Sequence, residues 1–485
     1  MNITGNLNNW NDRSKDKLWL YNLHYFNELN AGDVVLCPQR IEFLNSIIGK
    51  WIDENPPIEG NGWEAYPLSL RIVNWIKYFH EIVVPYHFEA SLYLQTRVLE
   101  QKLEYHLLGN HLFANAKALV FSGCYFNDEI AKTWLNKGLK IVDVQINEQV
   151  LNDGGNFELS PMYHNIMLLD MLDLYNLSNA YDVTELNVRK EHWKSIIIKM
   201  LQWSRSMSHP DGEISFFNDA AFNVAPKTCD LNKYKTSLGI IEENEVDNIQ
   251  EVTGLHLIDL PDSGYKIVES SSYKFIIDVA DIGASYIPGH GHADVLSFEA
   301  SFFGNRVFVN TGTSVYKESG QRSYERSTEA HNTVVVNDKS SSEVWAGFRV
   351  AKRAYPKSIN SVVGDNKVAI SASHDGYSHM KGRPKHFRYW EFNSNFVVIV
   401  DKVEGTFETA IGFLHLHPSV DIIYHCESKL KLMLQSGSIL SLEFDTEIEI
   451  VNAYWAPEFG KKINCNKIKY VIPKDTGVAS FRLTF

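Results

Sequence analysis

The stretch Gly289-His290-Gly291-His292-Ala293-Asp294, followed by Ala330-His331-Asn332-Thr333, gathers three imidazoles in sequence that reads as strand. Residues at i and i+2 of an extended strand point to the same side, which puts His290 and His292 together. Gly289 and Gly291 leave the backbone bare, so a bulky ligand has room to come close. Such a cluster suits either metal binding or proton transfer. A zinc site needs three or four ligands at about 2 Å. His290, His292 and His331 are the imidazole candidates, and Asn310 in Phe308-Val309-Asn310-Thr311-Gly312 is the candidate fourth ligand.

Three further constellations carry groups able to do chemistry. Gly109-Asn110-His111 opens a helical stretch running from Leu112 to Phe121. Asn110 there either caps the helix or turns its amide, beside the His111 imidazole, into a cleft. In the second case an amide donor neutralises a developing oxyanion and a neutral imidazole takes a proton. In Gly154-Gly155-Asn156-Phe157-Glu158-Leu159-Ser160-Pro161-Met162-Tyr163-His164, a glycine pair and Ser-Pro mark a loop entering a helix. Tyr163 in its first turns is either a half-buried tyrosine satisfied by a neighbour or a phenol that passes a proton to or from a sugar oxygen. With an unperturbed pKa of about 10, that phenol needs a nearby cation to bring it into range. Tyr316, Arg322, Tyr324 and Arg326 form either a solvated charged loop or a clamp for a carboxylate or sulfate.

Two kinds of element must position these groups. Up to about residue 230, apolar residues recur at helical spacing, as at Trp51, at Trp75-Ile76 with Tyr78-Phe79, and through Met167 to Tyr175. From about residue 260 the period falls to two, as in Tyr273-Lys-Phe-Ile-Ile-Asp-Val, Asn395-Phe-Val-Val-Ile-Val-Asp and Ile439-Leu-Ser-Leu-Glu-Phe. The expected organisation is α+β with separate domains. Helices occupy 1–230, a polar linker 231–259, and stacked antiparallel sheets 260–485.

The bulk numbers fit a multidomain globular protein of 485 residues, with 44% hydrophobic and 22% charged residues. The 12% aromatic content suits either sugar-binding clefts or large helical cores. A net charge of −13 argues against a nucleic-acid partner. The five cysteines are scattered without a CxxC pair and read as free buried thiols. No run of about 18 apolar residues predicts a membrane span. The opening Met1-Asn-Ile-Thr-Gly-Asn shows no leader. A cytoplasmic location is therefore expected, or a periplasmic one where a leader has been removed.

The residues resemble the heparinase II/III-like polysaccharide lyases, which include heparin-sulfate lyases and certain alginate lyases. The resemblance runs from Leu18-Trp-Leu-Tyr-Asn-Leu-His-Tyr-Phe26 through Asn61-Gly62-Trp63-Glu64-Ala65-Tyr66-Pro67-Leu68-Ser69-Leu70-Arg71 to Gly289-His-Gly-His-Ala-Asp-Val-Leu-Ser-Phe-Glu and Arg326-Ser-Thr-Glu-Ala-His-Asn-Thr-Val. It implies an incomplete (α/α) toroid followed by an antiparallel β-sandwich, and β-elimination at a uronic acid. By position, Asn110 matches the amide that neutralises the substrate carboxylate, with His111 beside it. Tyr163 matches the catalytic tyrosine, His290 the facing histidine, and Tyr316 an extra active-site tyrosine of some relatives. Trp63, Glu64, Arg71, His164, Arg322 and Arg326 are the expected substrate contacts. His292 and His331 match zinc ligands, but Asn310 stands where metal-binding members carry an aspartate. A neutral amide is a weak ligand, so zinc affinity should be low there. The resemblance also implies an acidic polysaccharide or oligosaccharide as partner and a homodimer. The stretch from Leu18 to Phe26 is reminiscent of members linked to surface or capsular polysaccharide synthesis.

Two other functions compete with a lyase. A non-catalytic glycan-binding or assembly protein keeps the aromatic cleft but needs none of the proton-transfer residues. A glycoside hydrolase needs two opposed carboxylates, for which Glu64, Glu158 and Asp219 are the candidates.

Overall fold

The computed structural model describes residues 9–31, 37–242 and 249–485. The opening Met1-Asn-Ile-Thr-Gly-Asn, read for a leader, lies outside the described residues. The chain divides into two compact units, one built from the described residues through Gln149 with Asp170–Lys194, the other from Val150–Leu169 with Ser195–Phe485.

The first unit is helical. Its helices are α1 (Lys17–Leu23), α2 (Pro38–Glu54), α3 (Ala65–Phe79), α4 (Tyr86–Glu100), α5 (Gly109–Tyr125), α6 (Glu129–Gln149), the second half of α7 (Pro161–Ala180), α8 (Thr184–Asn187) and the start of α9 (Lys190–Ser206). The apolar spacing of Leu68, Ile72, Trp75, Ile76 and Phe79 gives α3 one fully buried face. Helix α5 is buried on all sides from Leu112 to Ser122. Helix α6 packs on it at small residues. A Cβ on Gly138 would lie 2.8 Å from Ala116 O, and one on Gly123 would lie 2.6 Å from Leu135 N. Beside α5, Lys117 pairs with Asp170 at 2.7 Å and with Asp173, which Lys77 also binds at 2.7 Å, so two ammoniums and two carboxylates neutralise one another in the interior. This series of helix hairpins is the incomplete (α/α) toroid.

The second unit is mainly antiparallel sheet. After α10 (Thr228–Ser237), six strands form a meander in chain order: β1 (Ile249–Val252), β2 (Leu255–Leu260), β3 (Tyr265–Glu269), β4 (Tyr273–Asp278), β5 (Phe298–Phe302) and β6 (Asn305–Phe308). An eight-stranded sheet begins with four consecutive strands from Pro356–Gly364 to Phe396–Glu404 and continues through the C-terminal strand Val478–Thr484. A four-stranded sheet joins Ile448–Glu458, Lys461–Val471, Ala410–His415 and Val334–Val336. Phe275 and Phe298, Trp390 and Ile399, and Leu414 and Ile468 bring the three sheets to one apolar core, the β-sandwich. A short helix, α11 (Gly320–Glu325), is capped by the Ser319 side chain.

The unit boundaries differ from the expected 1–230 and 260–485. Leu159, Trp203, Met207 and Phe217 pack with Ile258, Leu260, Tyr265, Ile267 and Ile276, so residues from the helical stretch join the strand unit. The expected linker 231–259 carries the end of α10, all of β1 and most of β2, and its residues 243–248 lie outside the described residues. All five cysteines are free, but Cys37 and Cys229 are exposed rather than buried. Among the described residues, no helix is long and apolar enough to cross a membrane.

Candidate active site

In the strand unit, a loop, a helix start and an aspartate converge. Ser160 Oγ accepts a bond from the Tyr163 backbone N–H at 3.3 Å and donates to Asp219 O at 2.6 Å, and Pro161 opens α7. Tyr163 is thereby placed in the first turn. Its hydroxyl lies 2.8 Å from that of Tyr316. Its ring lies 4.1 Å from the His290 ring, measured between centroids.

His290 and His292 sit in the irregular connection between β4 and β5 rather than on a strand. They converge because Asp219 receives both. His290 Nδ1 lies 2.8 Å from Asp219 Oδ2, and His292 Nε2 lies 2.9 Å from Asp219 Oδ1. Arg322 closes the group with a bidentate contact, Nη2 donating to Oδ2 at 2.7 Å and Nη1 to Oδ1. Burial alone would push the Asp219 carboxyl up, but Arg322 and the two imidazoles outweigh it and hold the group well below the usual carboxylate range. A charged carboxylate accepts only, so His290 carries its proton on Nδ1 and turns the other ring nitrogen toward Glu158 Oε2, 3.6 Å away.

The shift at Tyr163 is upward rather than downward. Burial, then Tyr316 and Asp219, push its phenol well above its ordinary value, so it holds its proton. Tyr316 is pushed up in the same way by burial and by Asp219.

In the helical unit, Asn110 does not cap α5, whose N-cap is Leu108. Its amide Nδ2 faces Tyr66 Oη at 3.4 Å, and the Tyr66 ring lies tilted against that of His111, 4.4 Å between centroids. His111 Nδ1 lies 3.2 Å from Glu104 Oε1, and the other Glu104 oxygen accepts from Asn115 at 3.1 Å. Asn110 and His111 are each partly exposed.

Most of the expected substrate contacts are core residues. Arg322 and Arg326 are fully buried, and their donors are spent on Asp219 and on the carbonyls of Gly347 and Gly291, so they make no open clamp. Arg71 is buried on Trp51 and bonded to Gln95, His24 O and Gly62 O. Trp63 is buried with its Nε1 on Asn55 O. His164 is buried against Trp203 with Nε2 facing Met200 O, and burial holds its pKa down at about 3. Of this set only Glu64 has an exposed carboxylate, and it pairs with Lys17 and Tyr21.

The residues present do not fit a zinc centre. His292 Nδ1 and His331 Nε2 face each other at 3.1 Å, and His331 Nδ1 lies 2.7 Å from Ser327 O. The Asn310 amide donates to Phe216 O at 2.9 Å and accepts from the Asn332 N–H at 3.3 Å. Among the described residues no three His, Cys, Asp or Glu side chains converge as ligands.

Asp219 and Glu158 were visible in the sequence only as hydrolase candidates, and Glu104 not at all. A polar Asn218-Asp219 pair between Phe217 and Ala220 was the available signal for the first.

A toroid unit and a sandwich unit that carries a phenol–imidazole cluster define the class. The heparinase II/III N-terminus model matches residues 39–246, and the heparinase II/III-like C-terminal model matches 253–483. The chain belongs to the heparinase II/III-like family. It is similar to a heparin-sulfate lyase of Bacteroides stercoris, 25% identical over 385 residues that cover 74% of this chain and 54% of the relative. A heparin-sulfate lyase of Bacteroides thetaiotaomicron is 23% identical over 411 residues, 75% of this chain and 55% of that one. The chain thus spans about half the length of these curated relatives. A crystal structure of heparinase III superposes with a TM-score of 0.75 at 18% identity, covering 98% of this chain and 79% of the other, a likeness of fold.

Proposed function

We propose that the protein is a polysaccharide lyase that cleaves a uronic-acid-containing acidic glycan by β-elimination. The observation that carries this reading is the Tyr163–His290 pair, with the Tyr163 hydroxyl 2.8 Å from Tyr316 and His290 oriented by Asp219. His290, protonated on Nδ1, takes the C5 proton on Nε2. The electrons of the C5–H bond form the C4–C5 double bond, and the C4–O bond breaks. Tyr163, whose phenol is kept protonated by burial, gives its proton to the departing oxygen. Tyr316 supports the phenolate that results. Neutralisation of the uronate carboxylate acidifies the C5 proton.

The heparin-sulfate lyases to which the chain is similar support this class of substrate. The hydrolase reading loses its pair of carboxylates. Asp219 is buried and tied to Arg322 and two histidines, and Glu64 is paired with Lys17. Action on the cell's own surface polysaccharide, a homodimeric state and a cytoplasmic or periplasmic setting belong to the same proposal. Sizing chromatography and cell fractionation test the last two.

The decisive experiment supplies a panel of acidic glycans and follows unsaturated product by ultraviolet absorbance and mass spectrometry. The unsubstituted protein should form such a product, and Tyr163→Phe should lower the rate by about 10²–10⁴-fold while the circular dichroism stays unchanged. Saturated products would favour a hydrolase, and binding without turnover would favour a glycan-binding protein. Full activity in Tyr163→Phe would remove the assigned role.

A further inference from the structure

Ten of the eleven tryptophans are at most 6% exposed, whereas Trp345 is 56% exposed. Scattered exposed apolar side chains are ordinary, but the placing of this one is not. Trp345 ends the first strand of a small hairpin, Val344–Trp345 paired with Arg349–Val350. Phe348 in the hairpin's turn is 44% exposed. Its ring lies 5.6 Å from that of His290 and 5.3 Å from that of Tyr316. Tyr286, in the same connection as His290, is also about half exposed, and its ring lies 6.2 Å from Phe157.

The hairpin is held by an unusual device. Arg322 Nε donates to Gly347 O at 3.0 Å. Arg326 Nη1 donates to Gly347 O at 3.2 Å and reaches Trp345 O and Ala346 O at 3.5 Å. Two buried guanidiniums therefore grip three consecutive carbonyls of a surface turn. Burying a guanidinium is costly, and a turn of no consequence does not need such an anchor. Ala346 has a φ of +48°, a conformation that non-glycine residues seldom adopt, so the turn is fixed in a sparsely populated shape. Arg322 also holds Asp219, so one side chain sets both the hairpin and the orientation of His290.

We propose that this hairpin, with Tyr286, is a sugar-stacking subsite. It receives the apolar C–H face of a pyranose next to the residue undergoing elimination. The inference rests on the lyase reading for the identity of that neighbour. Flat, rigid aromatic rings suit this recognition because they offer area at little conformational cost. The contact is apolar, so its contribution is insensitive to sulfation and to salt, unlike that of a basic cleft.

The test uses the full chain with size-defined heparan sulfate and chondroitin oligosaccharides. Trp345→Ala should raise KM about tenfold or more with kcat within about twofold, the mark of uniform binding lost. The ratio should be the same at low and high salt, and Trp345→Phe should restore most of the affinity. In a Tyr163→Phe background, calorimetry should show the same loss of affinity without turnover. Unchanged KM and Kd in Trp345→Ala overturn the subsite and leave the lyase reading standing. Trp345-dependent binding with no unsaturated product from the unsubstituted protein overturns the lyase reading and keeps the subsite. Neither binding nor product overturns both.

Discussion

His290 Nδ1 lies 2.8 Å from Asp219 Oδ2, and that carboxylate is itself gripped by Arg322. The contact fixes which imidazole nitrogen carries the proton. Asp219→Asn leaves the shape but puts an amide where the carboxylate was. The amide can donate to Nδ1, which favours the tautomer with its proton on the wrong nitrogen for a base. The expected result is a kcat lowered by about 10²–10⁴-fold. Removal of the charge also leaves Arg322 buried without its partner, at a cost of about 3–5 kcal/mol. Urea unfolding and initial rates, taken at a temperature where the variant is folded, read the two effects separately. A folded variant with a kcat near that of the parent would refute the positioning role.

Tyr316 touches Tyr163 through hydroxyls 2.8 Å apart. Tyr316→Phe removes that partner and keeps the ring contacts with Phe348 and Phe459. Stability should fall by about 1 kcal/mol, the net worth of one hydrogen bond. The kcat should fall by about 10–10²-fold with KM little changed, because the bond supports a phenolate that exists only after proton transfer. A rise in KM alone would make Tyr316 a substrate contact instead.

The helical and strand halves were legible because periodicity survives in a single sequence. Trp75, Ile76 and Phe79 on α3 and Phe275 and Ile277 on β4 fall where the spacing puts them. The partners of charged residues were not legible. Arg322 and Arg326 looked like surface cations, yet both are buried, because their carbonyl and carboxylate partners come from segments far away in the chain. The strand geometry expected for His290 and His292 was also absent. The two rings converge through Asp219, some seventy positions earlier, and no spacing rule points to it.

Burial pushes the Asp173 carboxyl up, but Lys117 and Lys77 outweigh it and hold its pKa at about 2. An unfolded aspartate titrates near about 4, so the charged form stabilises the folded protein above that pH. The contribution drains as the pH falls from about 4 through about 2. Acid unfolding followed by circular dichroism should show a loss of stability in that window. Asp173→Asn should be less stable at neutral pH and should show a shallower acid limb. An acid limb of the same steepness would place the acid sensitivity elsewhere.

Zinc binding should be weak. The Asn310 amide is committed to Phe216 O and the Asn332 N–H, and a neutral amide adds little to two imidazoles. Elemental analysis of pure protein should find well under one zinc per chain, and chelator treatment should leave the melting temperature unchanged. Stoichiometric zinc that survives sizing chromatography would contradict this account of the histidine pair.

The two glycines of Gly289-His290-Gly291-His292 are expected to differ in tolerance. A Cβ on Gly289 would meet Phe348 at 3.6 Å, an ordinary contact. A Cβ on Gly291 would lie 2.3 Å from Ile282 O and 2.9 Å from the Ile282 side chain, where no atom fits without backbone movement. The space beside Gly291 is therefore taken by the protein's own chain rather than left for a ligand. Gly291 O also accepts two bonds from Arg326, at 3.1 and 2.9 Å, so a shift there pulls on the anchor of the hairpin at Val344–Val350. Gly289→Ala should change stability by less than about 1 kcal/mol, whereas Gly291→Ala should cost about 1–3 kcal/mol or more. Gly291→Ala should also lower kcat, because His290 and His292 flank the displaced residue. Thermal melts and rates for the pair decide the matter. Equal tolerance at both positions would mean that the loop carrying the two histidines is soft, and the fixed geometry assigned to His290 would not hold.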